Sequence, residues 1–189
     1  MTCRMSIPIL ILMKMRSMFE VGSLVLGIDP GTRHVGYGLI RMRKRDGEAL
    51  DFGCFDIDAA LPFPGRLKQI HESIRSLIQK AQPDMVAVEE VFVSQNAKTT
   101  LKLGHARGVI LLAAALEGVP VAEYAPREIK QAVIGKGNAS KHQMQWMIRQ
   151  TFHLDSNSLA EDAADALAVA LCHGLRSGAA VVTRSGGCG

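Results

Sequence analysis

Apolar and polar positions along this chain fall into two periods, two and 3.6, and the switches between them mark its elements. Three strand-like runs come first, Leu24–Asp29, Val35–Met42 and Leu50–Asp58. A Gly-containing turn at 30–34 and a charged turn over Arg43–Gly47 separate them, predicting an antiparallel meander. Pro62-Phe63-Pro64-Gly65 then leads into a helix over Arg66–Lys80, with Leu67, Ile70, Ile74, Leu77 and Ile78 on one face. Met85–Val93 is a β-branched strand. Asn96–Glu117 is a long helix, capped by Ser94 or Asn96 and stopped by Gly118. Val119–Tyr124 is a short strand, followed by helical patterns at Arg127–Val133, Ser140–Phe152 and Leu159–His173, the last ended by Gly174. The expected order is β-β-β-α-β-α-β-α-α, an α/β fold whose later strands run parallel to the first through right-handed crossovers.

A single domain is expected over 23–175. Residues 1–22 read as a poorly ordered extension or a misassigned start, with Met15 and Met18 as other possible starts. Residues 176–189 read as a flexible tail. Ile7–Met13 is apolar but far short of the ~20 residues a membrane span needs. The expectation is therefore a cytoplasmic protein without membrane attachment. With 189 residues, 48% of them hydrophobic, there is material for one core. A net charge of +4 suits a polyanionic partner without requiring one. Cys3, Cys54, Cys172 and Cys188 form no C-x-x-C pair, which argues against a zinc site and a disulfide framework.

Four acids stand in apolar surroundings. Asp29 ends a strand, Glu89 lies in V-A-V-E-E-V-F-V, and Asp162 and Asp165 open the helix A-E-D-A-A-D-A-L-A-V-A-L. Spacing of three places Asp162 and Asp165 on one helix face. Buried acids are costly unless paired or bound to a cation, and Arg33 is the only base close to any of them in sequence. A divalent ion resolves this, and carboxylate-only donors suit Mg²⁺ or Mn²⁺ over zinc. Taken singly, Asp29 also fits a turn start and Asp162 a first-turn acid. Glu89 and Glu90 point to opposite faces of their strand, and periodicity does not say which faces Asp29.

The blocks L-G-I-D-P-G-T-R-H-V-G-Y-G, A-V-E-E-V-F, L-K-L-G-H-A-R-G and A-E-D-A-A-D-A-L-A, in this order from Leu24 to His173, resemble the RuvC family. These are bacterial Holliday-junction resolvases of the ribonuclease-H-like superfamily. The resemblance implies a mixed five-stranded sheet flanked by helices. It also implies that Asp29, Glu89, Asp162 and Asp165 are catalytic metal ligands, settling the Glu89-or-Glu90 question for Glu89. It implies a homodimer that cuts two opposed strands of a four-way DNA junction, with the RuvA–RuvB branch-migration proteins as partners. Glu90 departs from the family, which often has Gln there.

Two Mg²⁺ ions per site, with Mn²⁺ as substitute, supply an activated water and stabilise the leaving oxygen. The expected products are 5′-phosphate and 3′-hydroxyl ends formed without a covalent intermediate. Lys98, Lys102 and Arg107 are expected DNA contacts: Lys98, Lys102 and His105 share one helix face with Arg107 farther round, a solvated face being the alternative. Gly104 and Gly108, four apart, fit either packing within the fold or a dimer contact. The resemblance implies that Lys130 and Lys141 contact phosphates and that Phe92 stacks on unpaired bases. Trp146, among Met144, Met147 and Ile148, is expected in the core. The motif Asp29-Pro30-Gly31-Thr32 also occurs in sugar-kinase and actin-like ATPases, but the chain has no second Gly-rich phosphate loop. A ribosomal-RNA processing nuclease of the same fold, or an inactive junction-binding scaffold, are the alternatives.

Overall fold

The computed structural model describes residues 22–91, 96–155 and 159–183. Strands β1 (Ser23–Asp29), β2 (His34–Arg43) and β3 (Asp46–Asp56) form the meander. Then come α1 (Phe63–Ala81), β4 (Met85–Glu89), α2 (Ala97–Leu116), β5 (Val121–Tyr124), α3 (Pro126–Ile134), α4 (Lys141–Phe152) and α5 (Glu161–Thr183). Three helices follow β5, one for each of the three helical patterns, although the condensed order counted two. The sheet runs β3-β2-β1-β4-β5, with β1 antiparallel to β2 and parallel to β4, and β4 parallel to β5. Among the described residues no helix is long and apolar enough to cross a membrane.

Strand alternation sorts the side chains. Leu26, Ile28, Val86 and Val88 face α1 and α2, packing on Ile70, Ile74, Ile78 and Ile110. Val25, Ile40 and Ala87 face α5, packing on Ala164, Leu167 and Val169. Asp29 and Glu89 are two residues beyond Gly27 and Ala87, and so point to the α5 face.

That face is lined with glycine for a reason. A Cβ on Gly27 would collide with Ala166 O, and one on Gly36 with Asp162 O; on Gly38 it would lie 2.8 Å from Leu167 Cγ. Gly27 pairs with Gly38, and Asp29 with Gly36, in the β1–β2 ladder. The backbone of α5 therefore rests on the backbone of the sheet, and its first turn arrives beside Asp29.

Several boundaries differ from expectation, each with a physical cause. The β2–β3 turn is only Lys44–Arg45, with Lys44 at φ 58°, so β3 begins at Asp46 rather than Leu50. Between Leu39 and Ile40 the register shifts: Leu39 faces Asp51 while Ile40 faces Ala49, leaving Leu50 as the extra residue of a bulge. Strand β4 stops at Glu89, not Val93, because its neighbours β1 and β5 stop at Asp29 and Tyr124. Pro120 cannot donate to the ladder, so β5 begins at Val121. Helix α5 passes straight through Gly174 to Thr183, beyond the expected end and into the segment expected to be a tail. Gly174 is there for space, since its Cβ would run into Met42.

Trp146 is not in the core but 55% exposed. Met144, Ile148 and Phe152 recur at four-residue intervals and fill the buried face of α4; Trp146, two residues on from Met144, falls on the opposite side.

Candidate active site

Each acid reaches the site through a separate local rule. Asp29 is the last residue of the central strand, and Glu89 the last residue of its parallel neighbour. Their preceding residues, Ile28 and Val88, are register partners, so the two acids emerge side by side at the carboxyl end of the sheet. Asp162 and Asp165 come down from the first turns of α5, which the glycine track lets approach. Glu90 turns away from this face, and its N–H donates to Tyr124 O at 2.9 Å.

The electrostatics mark these acids as a coupled group. Burial, then Glu89, then Asp165 and Asp162 push the Asp29 carboxyl up to about 8, with Lys141 opposing. Burial and Asp165 push Glu89 up to about 7, against Lys130 and Lys141. Burial raises Asp165 as well, again opposed by Lys141.

The fold thus supplies cations that the sequence neighbourhood of the acids does not contain. Lys141 Nζ lies 2.9 Å from Glu161 Oε2 and 3.6 Å from Asp165 Oδ2. Its position follows from the cap of α4. The Ser140 hydroxyl accepts from Gln143 N at 3.2 Å, and Gln143 Oε1 accepts from Ser140 N at 2.9 Å. A lysine in a first helical turn is disfavoured by the helix dipole, which the facing carboxylates offset. Lys130 from α3 shares with Lys141, Glu89 and Asp165 the wall of a cavity of about 220 Å³.

The other expected contacts are scattered. Lys98 is exposed on the first turn of α2. Lys102 Nζ sits 5.7 Å from the centre of the Phe63 ring, which also takes the edge of His105. The Arg107 guanidinium pairs with Glu123 of β5, tying α2 to the sheet. Phe92 lies outside the described residues. Among the described residues nothing lies within 4 Å of where a Cβ on Gly104 or Gly108 would be, so packing against those residues does not explain them.

Two neighbours of the acids went unrecognised in the sequence. Cys54 Sγ lies 3.7 Å from Asp162 Oδ2, and His34 Nδ1 lies 2.9 Å from Asp56 Oδ1. Burial, followed by Asp162, pushes the Cys54 thiol up to about 11.

The donors converging on Asp29 are carboxylate oxygens held partly out of water, with too few cations to neutralise them. That set fits a hard divalent ion. Residues 25–173 match the family model of RuvC, described as crossover junction endodeoxyribonuclease RuvC. The chain belongs to the RuvC family. It is 49% identical to the crossover junction endodeoxyribonuclease RuvC of Magnetococcus marinus over 79% of this chain and 82% of that one. To the RuvC of Moorella thermoacetica it is 51% identical over 79% of this chain and 90% of that one. Among solved structures, Thermus thermophilus RuvC in complex with Holliday junction substrate superposes with a TM-score of 0.78 at 33% identity, covering 84% of this chain and 96% of that chain. The five-stranded mixed sheet is thus the ribonuclease-H-like sheet of RuvC, and the RuvC-like nuclease fold points to dependence on a divalent metal.

Proposed function

We propose that this RuvC-family chain is a homodimeric, magnesium-dependent endonuclease that resolves four-way DNA junctions. It makes two symmetric nicks that leave 5′-phosphate and 3′-hydroxyl ends, in homologous recombination and repair. The observation that carries this reading is the coupling of Asp29, Glu89 and Asp165 on the α5 face, where burial and mutual repulsion hold Asp29 up to about 8. Asp29, Glu89, Asp162 and Asp165 would hold two Mg²⁺ ions, with Mn²⁺ able to substitute. Such ions supply an activated water and stabilisation of the leaving oxygen.

The remaining work falls to the protein's own residues. Lys130 and Lys141, on the cavity beside Glu89 and Asp165, take phosphate oxygens of the strand to be cut. Lys98 and Lys102, on the first turns of α2, contact the backbone farther out. Phe92 stacks on unpaired bases at the junction centre. Arg107, held beside β5 by its pair with Glu123, adds a further contact to DNA. Because ions held by the four acids would supply the activated water, direct hydrolysis needs no protein nucleophile.

The dimer reading rests on the outer side of α2. Leu101 is 65% exposed, Leu112 51% and Leu116 62%, and Gly104 and Gly108 lie between them on the same exposed strip. An apolar helix strip with two bare glycines suits close approach of a second copy's helix. We place the enzyme in the cytoplasm with the RuvA–RuvB branch-migration proteins as partners.

Cleavage of a synthetic four-way junction in Mg²⁺, beside a linear duplex and an RNA, tests this. Paired nicks are expected in the junction alone. Asp29→Asn should fold normally and cut roughly a thousandfold more slowly, since metal-borne charge stabilisation is worth several kcal/mol. Binding without cutting would instead make the chain a scaffold, and cutting of RNA would make it a processing nuclease.

A further inference from the structure

Asp162 faces two ways. It contributes to the repulsion felt by Asp29, yet its Oδ2 lies 3.7 Å from Cys54 Sγ on the side of β2 and β3. A ring nitrogen of His34, the Cys54 sulfur and an Asp162 carboxylate oxygen all lie within 4.8 Å of one another. These donors come from three elements. His34 opens β2, Cys54 lies near the end of β3 opposite Gly36, and Asp162 is in the first turn of α5 above Gly36. No spacing motif announces such a set, which is why the scattered cysteines argued against zinc.

The chemistry of the set differs from that of the four acids. It offers one thiol, one imidazole and one carboxylate, donors that select a borderline ion such as zinc over magnesium. Bond lengths of ~2.3 Å to sulfur and ~2.0–2.1 Å to nitrogen or oxygen require the donors to close in by only about 1 Å. His34 Nδ1 lies 2.9 Å from Asp56 Oδ1, and since a carboxylate oxygen accepts, Nδ1 is the donor in that contact. That leaves Nε2 with the free lone pair, the carboxylate–histidine pairing that commonly stands behind a zinc ligand.

We propose that His34, Cys54 and Asp162 bind a zinc ion, and that this ion draws Asp162 out of the acid group and so antagonises magnesium-supported cleavage. Binding replaces the thiol proton of Cys54 with the metal and releases that proton to solvent. The fourth position is left to water. The binding rests on these three residues alone; the antagonism rests on the nuclease reading above.

Cobalt(II) serves as the optical probe, because a thiolate ligand gives it a charge-transfer band in the near ultraviolet. Titration of the full-length protein should produce that band, with excess Mg²⁺ leaving it in place and a stoichiometric addition of Zn²⁺ bleaching it. Cys54→Ser should abolish the band with an unchanged circular-dichroism spectrum, and Asp56→Asn should weaken zinc binding roughly 10–100-fold. Should Cys54→Ser fail to fold, loss of the band in His34→Gln decides the same point. No band in the wild type, or a full band in both variants, overturns the site. In junction cleavage, Zn²⁺ should inhibit the wild type at a concentration at least about tenfold below that needed for Cys54→Ser; equal sensitivity overturns the antagonism. A cobalt band in a protein that cuts no junction even without zinc would sink the nuclease reading and leave the metal site standing.

Discussion

The two faces of the sheet are built from opposite materials. Toward α1 and α2 the contact is side chain on side chain, with Ile28, Ile70, Ile74 and Ile110 interlocking. Toward α5 it is backbone on backbone, with Gly27 and Gly36 against the carbonyls of Ala166 and Asp162. Bulk keeps a helix at full distance. Bareness draws α5 down until its acids meet those of the strands. The first arrangement stabilises the fold, and the second brings like charges together at a cost that protonation or a cation relieves.

The largest expected expression of this difference is in pH. Without metal, Asp29 rises from 3.8 to about 8 and Glu89 from 4.5 to about 7 on folding. At these two sites the folded state then binds more protons than the unfolded one, so their contribution to stability is greatest below about pH 4 and is lost as pH climbs through 7 and 8. The slope is at most about 1.4 kcal/mol per pH unit for each proton involved. Mg²⁺ should therefore raise the melting temperature far more at pH 8 than at pH 5, by scanning calorimetry against a chelated control. An equal gain at both would locate the metal elsewhere. On the other face the sign reverses: Arg75 and Gln79 hold the Glu117 carboxyl down, so its contribution is present at neutral pH and lost on acidification.

One carbon added on the α5 face is next in size. Gly27→Ala should cost about 1–3 kcal/mol, a fall of roughly 2–4 °C in melting temperature per kcal/mol. Cleavage measured well below that temperature should also drop, because the displaced helix carries two of the acids. A variant that melts lower but cuts at the normal rate would separate α5 packing from the chemistry.

The smallest thermal effect belongs to the outer side of α2. Leu112→Glu touches no core contact and should change the stability of the fold itself by less than about 0.5 kcal/mol. Light scattering should nonetheless report the mass of a monomer, and the paired nicks should become single. A variant that keeps the mass of a dimer would move the interface off this helix.

The acids themselves were legible because charge inside apolar runs is conspicuous in any sequence. The choice between Glu89 and Glu90 was not, since it depends on which face Ala87 takes, and that is known only once α5 is in place. Trp146 misled, because a tryptophan among methionines looks buried until the face is counted from Met144. The partner of Arg107, Glu123, arrives from another strand and was not legible either. The pairing of Cys54 and His34 with Asp162 was hidden by a single residue. Counted straight back from the Lys44–Arg45 turn, Cys54 would fall opposite Val35 and point to the other side of the sheet; the extra residue at Leu50 returns it to Gly36.

That same extra residue has a bearing on solubility. Strand β3 is a border of the sheet, eleven residues long, and a regular border of that length is an invitation to strands from other molecules. The bulge interrupts the row of unpaired amides and carbonyls midway and bends the strand, while Asp46, Glu48, Asp51 and Asp56 keep it charged on either side. The kink that turns Cys54 toward the acids also protects the molecule from aggregating along its most exposed edge.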